Sequence, residues 1–246
     1  MEWVKSEDGS YTAFSSEYNE HYHSTKDGAL NESLKKHIEP AFLCHKDKKH
    51  LKIIDICFGL GWNTLATLYY RDIYFPDTTL EIVSPELDGE LVASLVDFPY
   101  PEIFAPYKTI IKALSQEGEY KDDRTSIRVE ITDARIAMRE LIGSWDVCYQ
   151  DAFSPSSNPA LWTREYFADV ARLMGEEGVV TTYSIALATR LALYENGFHL
   201  YINSGEGYRS ATIASKMVLE PFEQVNMEHK LRCNPDAVSL RDDSLR

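Results

Sequence analysis

From residue 51 onward, short apolar runs alternate with stretches whose apolar positions recur every three to four residues. Apolar runs bounded by turn residues predict buried strands, and the periodic stretches between them predict helices. LKIIDICF (51–58) predicts a first strand, followed by Gly59, Gly61 and a helix over NTLATLYYRDI (63–73). TLEIVSPEL (79–87) and GELVASLVDF (89–98) predict a second strand and helix, and an irregular Pro- and Tyr-bearing stretch occupies 99–125. SIRVEIT (126–132) and ARIAMREL (134–141) form a third pair. WDVCYQDAF (145–153) is a fourth strand leading into the loop SPSSNP and a helix over 160–174. GVVTTYS (178–184) and ALATRLALYENG (186–197) form a fifth pair, and FHLYINS (198–204) with SATIASKMV (210–218) a closing hairpin.

Alternation of this kind implies an α/β fold with a parallel sheet covered on both faces, to which the hairpin adds an antiparallel strand. The order of elements is that of a Rossmann-like methyltransferase. There is no linker, low-complexity run or internal repeat. The expected division is an N-terminal extension over 1–50, a Rossmann-like domain over 51–220 and a C-terminal tail over 221–246.

In such a sheet, ligands bind beyond the carboxyl ends of the strands. Four successive strands carry an acid there: Asp55, Glu86, Asp133 and Asp151. Asp133 also stands where a helix N-cap is wanted. The Gly59/Gly61 turn allows close backbone approach to a ligand, but Cys57 stands where a first glycine of a dinucleotide fingerprint would be. No Lys-Ser/Thr follows, which excludes a phosphate-cradling P-loop. A pyrophosphate is disfavoured beside Asp55 and Glu86, whereas a sulfonium cation is favoured by a negative field. S-adenosylmethionine fits these residues better than a dinucleotide. Glu86 is placed to take both ribose hydroxyls, and Asp133 with the Ala134 backbone to read the adenine edge.

The segment from Tyr149 to Trp162 combines an acid at a strand end, Asp151, with Phe153, Pro155, Asn158, Pro159 and Trp162. Proline pre-sets the conformation of such a loop. The aromatics either cap the core or, with Asp151, form a wall that presents a flat ring and an amine or hydroxyl nucleophile.

At 246 residues the chain suffices for one large domain. It has no apolar stretch of 18 residues, and its first ten are too polar for a signal peptide. The four cysteines are widely spaced with no CxxC pair, so no metal knuckle or disulfide framework is expected, and a reducing cytoplasm fits best. His21, His23, His45 and His50 lack ligand spacing and read as surface or packing residues. The formal charge of −14 argues against a generic DNA-coating protein. That charge is uneven, however. Residues 51–100 hold two basic against eight acidic residues, whereas residues 1–50 and 101–150 hold fourteen of the 25 basic ones. A basic rim around an acidic pocket therefore remains compatible with a nucleic-acid substrate. HKDKKHLK (45–52) is the densest basic patch and a candidate phosphate contact; Arg124, Arg128, Arg135 and Arg139 form a second group.

The motifs DICFGLGWNT, SPE, TDAR and QDAFSPSSNPALWT, followed by EGVVTTYS and ENGF, resemble the methyltransferase domain of the MnmC family. The amino-terminal DGSYTAFSSEYNEHYHSTKDGALNES and the tail LRCNPDAVSLRD extend the likeness from about residue 8 to the end. The resemblance implies a class I S-adenosylmethionine-dependent methyltransferase whose substrate is the 5-aminomethyl(2-thio)uridine at the wobble position of certain tRNAs, giving the 5-methylaminomethyl form. Carried over, Asp55, Gly59, Gly61 and Asn63 form the first cofactor loop, Glu86 holds the ribose and Asp133 the adenine region. Gly28 and Tyr22 close the site, and Asp151 receives the substrate amine beside the transferred methyl. Phe153, Pro155, Asn158 and Trp162 are expected to shape the uridine pocket. Two features depart from the family. The chain has no room for the flavin-dependent oxidase domain of fused members, so a separate enzyme is expected to supply the aminomethyl uridine. A basic stretch of some relatives is here Gly205-Glu-Gly-Tyr-Arg209-Ser, leaving Arg209 alone as a tRNA contact. A monomer is the default. Two other readings stand beside this one: an aminopropyltransferase-like or small-amine methyltransferase, and a non-catalytic cofactor-binding adaptor.

Overall fold

The computed structural model describes residues 2–245. The first of them form three short antiparallel strands, β1 (Trp3–Lys5), β2 (Tyr11–Ser15) and β3 (Glu20–His21), in a small sheet of their own. A helical segment follows as α1 (Ala29–Glu32), a π-helical stretch (Ser33–Ile38) and α2 (Glu39–Cys44). Pro40 explains the break: it has no N–H for the α-helical bond to Lys36, and its ring crowds that carbonyl, so a wider turn precedes it. Leu34, Ile38, Ala41 and Phe42 recur at helical spacing through this segment, and the last three are buried in the core.

The Rossmann-like part then runs β4 (His50–Ile56), α3 (Trp62–Tyr74), β5 (Thr79–Glu86), α4 (Gly89–Ser94), α5 (Lys108–Glu117), β6 (Glu119–Lys121), β7 (Thr125–Ile131), α6 (Ala134–Glu140) and β8 (Trp145–Gln150). It continues through α7 (Arg164–Leu173), β9 (Met174–Thr182), α8 (Leu187–Glu195), β10 (His199–Gly205), β11 (Tyr208–Ser215), β12 (Glu223–Gln224) and α9 (Met227–Cys233). The sheet order is β12-β10-β11-β9-β8-β4-β5-β7-β6. The strands from β7 across to β9 are parallel, and β11 is antiparallel to β9, as the closing hairpin predicts. The stretch 99–125, expected to be irregular, contains α5 and β6; Ile110, Ile111 and Leu114 give α5 a buried stripe.

Strand alternation divides the core in two. Leu51 and Ile53 of β4, Leu80 and Ile82 of β5, and Val147 and Tyr149 of β8 belong to one buried cluster with Leu65 of α3. Ile54, Ile56, Val83 and Cys148 belong to the other, with Tyr166 and Val170 of α7. Side chains two apart share a face. The strand-end acids Asp55, Glu86 and Asp151 therefore all point toward the α3 side. Three acids on three neighbouring strands are thus brought to one end and one face of the sheet.

Candidate active site

A cavity of about 1250 Å³ opens at the carboxyl ends of β4, β5, β7 and β8, roofed by the segment around β3. One small-molecule site occupies roughly 300–1,000 Å³, so this cavity has room for two reactants.

On one side the wall is built by β4, β5 and the turns that follow them. Cys57, Gly59 and Gly61 all have left-handed backbone, with φ of 65°, 53° and 72°. Gly61 in that conformation caps the start of α3. A Cβ on Gly59 would lie 3.3 Å from the Tyr22 ring, so backbone and roof approach closely here. The Gly59 N–H donates to Glu86 Oε2 at 2.8 Å and the Asp88 N–H to Oε1 at 2.9 Å. Burial raises the Glu86 carboxyl, against these backbone bonds. Asp133 does act as an N-cap: its Oδ1 accepts from the backbone of Arg135 and Ile136. It also lines the cavity, with Ala134 beside it.

On the other side lies Asp151, just past β8, with its side chain 9% exposed. Asn63 of α3 donates through Nδ2 to Asp151 Oδ2 at 2.9 Å and to Asp55 Oδ1 at 3.3 Å, tying the two carboxylates together. Thr64 donates to Asp55 Oδ2 at 2.8 Å. His37, fully buried on the π-helical stretch, puts Nε2 3.4 Å from Asp151 Oδ1, while its Nδ1 meets Thr181 Oγ1 at 2.9 Å. His23 places Nε2 3.8 Å from Asp151 Oδ2. Burial works to raise the Asp151 carboxyl, but His37, His23 and Asn63 outweigh it and hold it below the usual carboxylate range. Burial pushes Asp55 the other way, up to about 7, with Asp151 adding to the rise.

The loop after Asp151 is fastened from the roof. Glu20 of β3 accepts from the Ser154 N–H at 3.0 Å, from the Ser154 hydroxyl, and from Ser157 Oγ at 2.7 Å. Phe153 stacks on Tyr18 with ring centroids 4.5 Å apart and packs against Tyr22 at 5.0 Å. Tyr183 donates to the Ala152 carbonyl at 2.9 Å.

Of the residues singled out in the sequence, Tyr22, Gly59, Asn63, Glu86, Asp133 and Ala134 stand on the cavity wall. So do Asp151, Phe153, Asn158 and Arg209. Asp55 lies beneath the wall and acts on it through Asn63. Trp162 is corrected: it is fully buried, its Nε1 donating to the Phe153 carbonyl at 2.7 Å, so it supports the loop from behind rather than touching a substrate. Pro155 lies in the turn between Ser154 and Ser157, off the wall. Gly28 is also off it. A Cβ there would meet the Asp8 carboxylate at 1.9 Å, so this glycine, at φ 85°, lets the roof segment pack on itself. The basic run 45–52 sits at the amino end of β4, a strand's length from the cavity, with Lys48 paired to Asp146 and Glu177. Arg124 and Arg128 pair with Asp72 and Glu130. Among the histidines, His21 and His50 are exposed and His45 is held by the Ala41 and Glu177 carbonyls. His23, expected at the surface or in packing, is buried and packs against Trp62, with Nε2 facing Asp151. His37 and Glu20 were not legible as site residues; only the helical spacing of Leu34, Ile38 and Phe42 hinted at the element carrying His37.

Residues 99–217 match a family described as S-adenosyl-L-methionine-dependent methyltransferase. An uncharacterized protein of Methanocaldococcus jannaschii is 31% identical over 254 residues, covering 98% of this chain and 67% of that protein. The crystal structure of MNMC2 from Aquifex aeolicus superposes with a TM-score of 0.85 at 34% identity, covering 99% of this chain and 79% of that one. This chain belongs to the MnmC methyltransferase family. It is an S-adenosylmethionine-dependent methyltransferase of class I fold. The tRNA 5-methylaminomethyl-2-thiouridine biosynthesis bifunctional protein MnmC of Paraburkholderia xenovorans is 27% identical over 219 residues, which is 83% of this chain. The MnmC methyltransferase match spans about a third of that bifunctional relative's length, 33%. Among the described residues, no helix is long and apolar enough to cross a membrane, and no cluster of three or more His, Cys, Asp or Glu could hold a metal.

Proposed function

We propose that this methyltransferase N-methylates the 5-aminomethyl group of wobble (2-thio)uridine in tRNA. The observation that carries the reading is the Asp151 carboxylate. It is held low by two histidines and an asparagine, at the base of a cavity large enough for cofactor and nucleoside. A buried anion of this kind suits an ammonium or a nitrogen gaining positive charge.

S-adenosylmethionine, when bound, supplies a methyl carbon made electrophilic by its sulfonium charge. The residues present fit it. Each Glu86 oxygen takes one backbone N–H, which leaves about two of its four acceptor sites for ribose hydroxyls. Asp133 and Ala134 line the adenine end, and the Gly59 turn brings backbone to the ligand. The Asn63 Oδ1 finds no partner among the described residues and is left for a ligand N–H. Phe153, backed by Tyr18 and by buried Trp162, forms the flat wall against which an unpaired base stacks, a contact worth roughly 1–3 kcal/mol. Glu20 keeps that wall in place. Asp151 holds the substrate nitrogen and orients it, so catalysis here is chiefly positioning and exclusion of water. A tRNA substrate places the reaction in the cytoplasm, after the aminomethyl group has been installed on the uridine.

Incubating the protein with methyl-labelled S-adenosylmethionine and tRNA from a strain lacking this gene, against putrescine and spermidine, tests the proposal. Label is expected in a wobble-position nucleoside. Label in the polyamines would move the assignment to a small-amine enzyme, and label in neither would leave a binding protein.

A further inference from the structure

The sulfonium methyl can be attacked only by a neutral amine, yet a primary alkylamine is mostly protonated at pH 7, lysine at about 10.4 being the guide. One proton must therefore leave the substrate nitrogen first. Asp151 is a poor destination. Asn63 and His37 stabilise its anion, and that is the feature that makes it a counter-ion. The groups around it offer one better. His23 lies on the cavity wall with its side chain only 7% exposed, and neither ring nitrogen finds a hydrogen-bond partner among the described residues. Leaving a buried imidazole unpartnered costs free energy, so an unmade bond facing a cavity points to a ligand that makes it. The ligand must reach His23 Nε2 and Asp151 Oδ2 together, since they are 3.8 Å apart. A single ammonium nitrogen with three N–H donors does that.

We infer that His23 is the proton acceptor of the reaction, taking the proton from the substrate ammonium while Asp151 holds the nitrogen. This inference rests on the reading of the substrate as a primary amine. The step balances simply. Ammonium and neutral imidazole become amine and imidazolium, the nitrogen keeps the electron pair of the broken N–H bond, and the proton goes on to solvent. The imidazolium then sits beside the Asp151 anion, which offsets its charge. The groups facing His23 are Asp151 after β8, Glu32 of α1, and His37 and Lys36 of the π-helical stretch. Burial, with Lys36 and His37, lowers the ring's proton affinity against the pull of Asp151 and Glu32, so His23 rests neutral and ready to accept. His37 has a different role. It is behind Asp151, fully buried and off the cavity wall, with Nδ1 at Thr181, and so it positions the carboxylate.

The test combines His23→Gln with a spectroscopic measurement on the unaltered protein. His23→Gln is expected to lower kcat with aminomethyl-bearing tRNA at pH 7.5 by roughly 10²–10⁴-fold, the usual share of general base catalysis. Its kcat should then rise about tenfold per pH unit toward pH 9.5, as hydroxide removes the proton instead. In wild-type protein selectively labelled with ¹⁵N-histidine and loaded with S-adenosylhomocysteine, the His23 ring signals should shift on adding 5-aminomethyluridine and stay put on adding uridine. A His23→Gln enzyme with wild-type rate and pH profile, or His23 signals indifferent to the amine in a complex that binds it, overturns the assignment. Wild-type protein that neither binds nor methylates the aminomethyl nucleoside in tRNA overturns instead the substrate reading beneath it.

Discussion

Asp55 and Asp151 end adjacent parallel strands, point to the same face of the sheet, and share one Asn63 amide, yet their proton affinities diverge in opposite directions. Asp55 is sealed under the glycine turn with only a hydroxyl and an amide for company, and burial lifts it to about 7. Asp151 is almost as enclosed but has two imidazoles, and these hold it down. Chemistry at one position in the fold is therefore set by what the roof and the π-helical stretch bring over, not by the strand that carries the acid. A pair of neighbouring carboxyls pushed apart in this way is a recurrent means of assigning different tasks to like groups. On the proposed function, the tasks are a structural acid beneath the glycine turn and an anion facing the substrate nitrogen.

Breaking the second member should have the largest effect. Asp151→Asn keeps the shape and one acceptor but removes the charge, and turnover should fall about 10²–10³-fold. Affinity for S-adenosylmethionine by calorimetry should stay within a few-fold. A variant that turns over normally, or one that loses cofactor first, would show Asp151 to belong with Asp55. The first member is broken by pH. With a folded value near 7 and an unfolded one near 3.8, protonated Asp55 is the form the fold prefers. Its contribution is whole below about pH 4 and lost as pH rises through 7, about 4 kcal/mol at most at 1.36 kcal/mol per unit. Asp151 has the opposite sign, its contribution present above its unfolded value and lost only on acidification. Thermal unfolding between pH 5 and 8 therefore isolates Asp55: wild type should lose stability relative to Asp55→Asn across that window. Parallel curves would refute the raised value.

The contrast also explains what could be read from the chain alone. Asp55, Glu86, Asp133 and Asp151 were visible because each ends a strand, and strand ends follow from local alternation. The histidines that divide Asp151 from Asp55 were not. His37 acts across contacts such as that with Thr181, 144 residues away, and Glu20 fastens Ser154 from 134 residues away. No spacing rule joins residues so distant. His23 is buried, as a packing residue would be, but its place beside Asp151 was hidden for the same reason, since an isolated histidine resembles any packing residue until its neighbours are known. Trp162 was misjudged differently. An aromatic in a loop can face cavity or core, and only the Phe153 carbonyl that receives its N–H shows which.

The smallest effect concerns whether compensation by cations reaches the rim of the site. Asp27 is a second carboxylate of the Asp151 kind: burial would raise it, but Lys36 and Arg209 outweigh that and lower it. Lys36 is buried at 2% exposure and bonds both Asp27 and Glu32. Arg209, with a side chain 71% exposed, touches Asp27 at 3.2 Å and lines the cavity mouth. Lys36 and Arg209 together balance Asp27 and Glu32, and the exposed outer face of the Arg209 guanidinium is left for a phosphate. Arg209→Ala should therefore leave the fold intact and raise KM for tRNA several-fold more than it lowers kcat. The slope of log affinity against log salt should flatten by about one, the signature of one lost phosphate contact. An unchanged slope with lowered thermal stability would mean that Arg209 serves Asp27 alone, and that the tRNA backbone is met elsewhere on the rim.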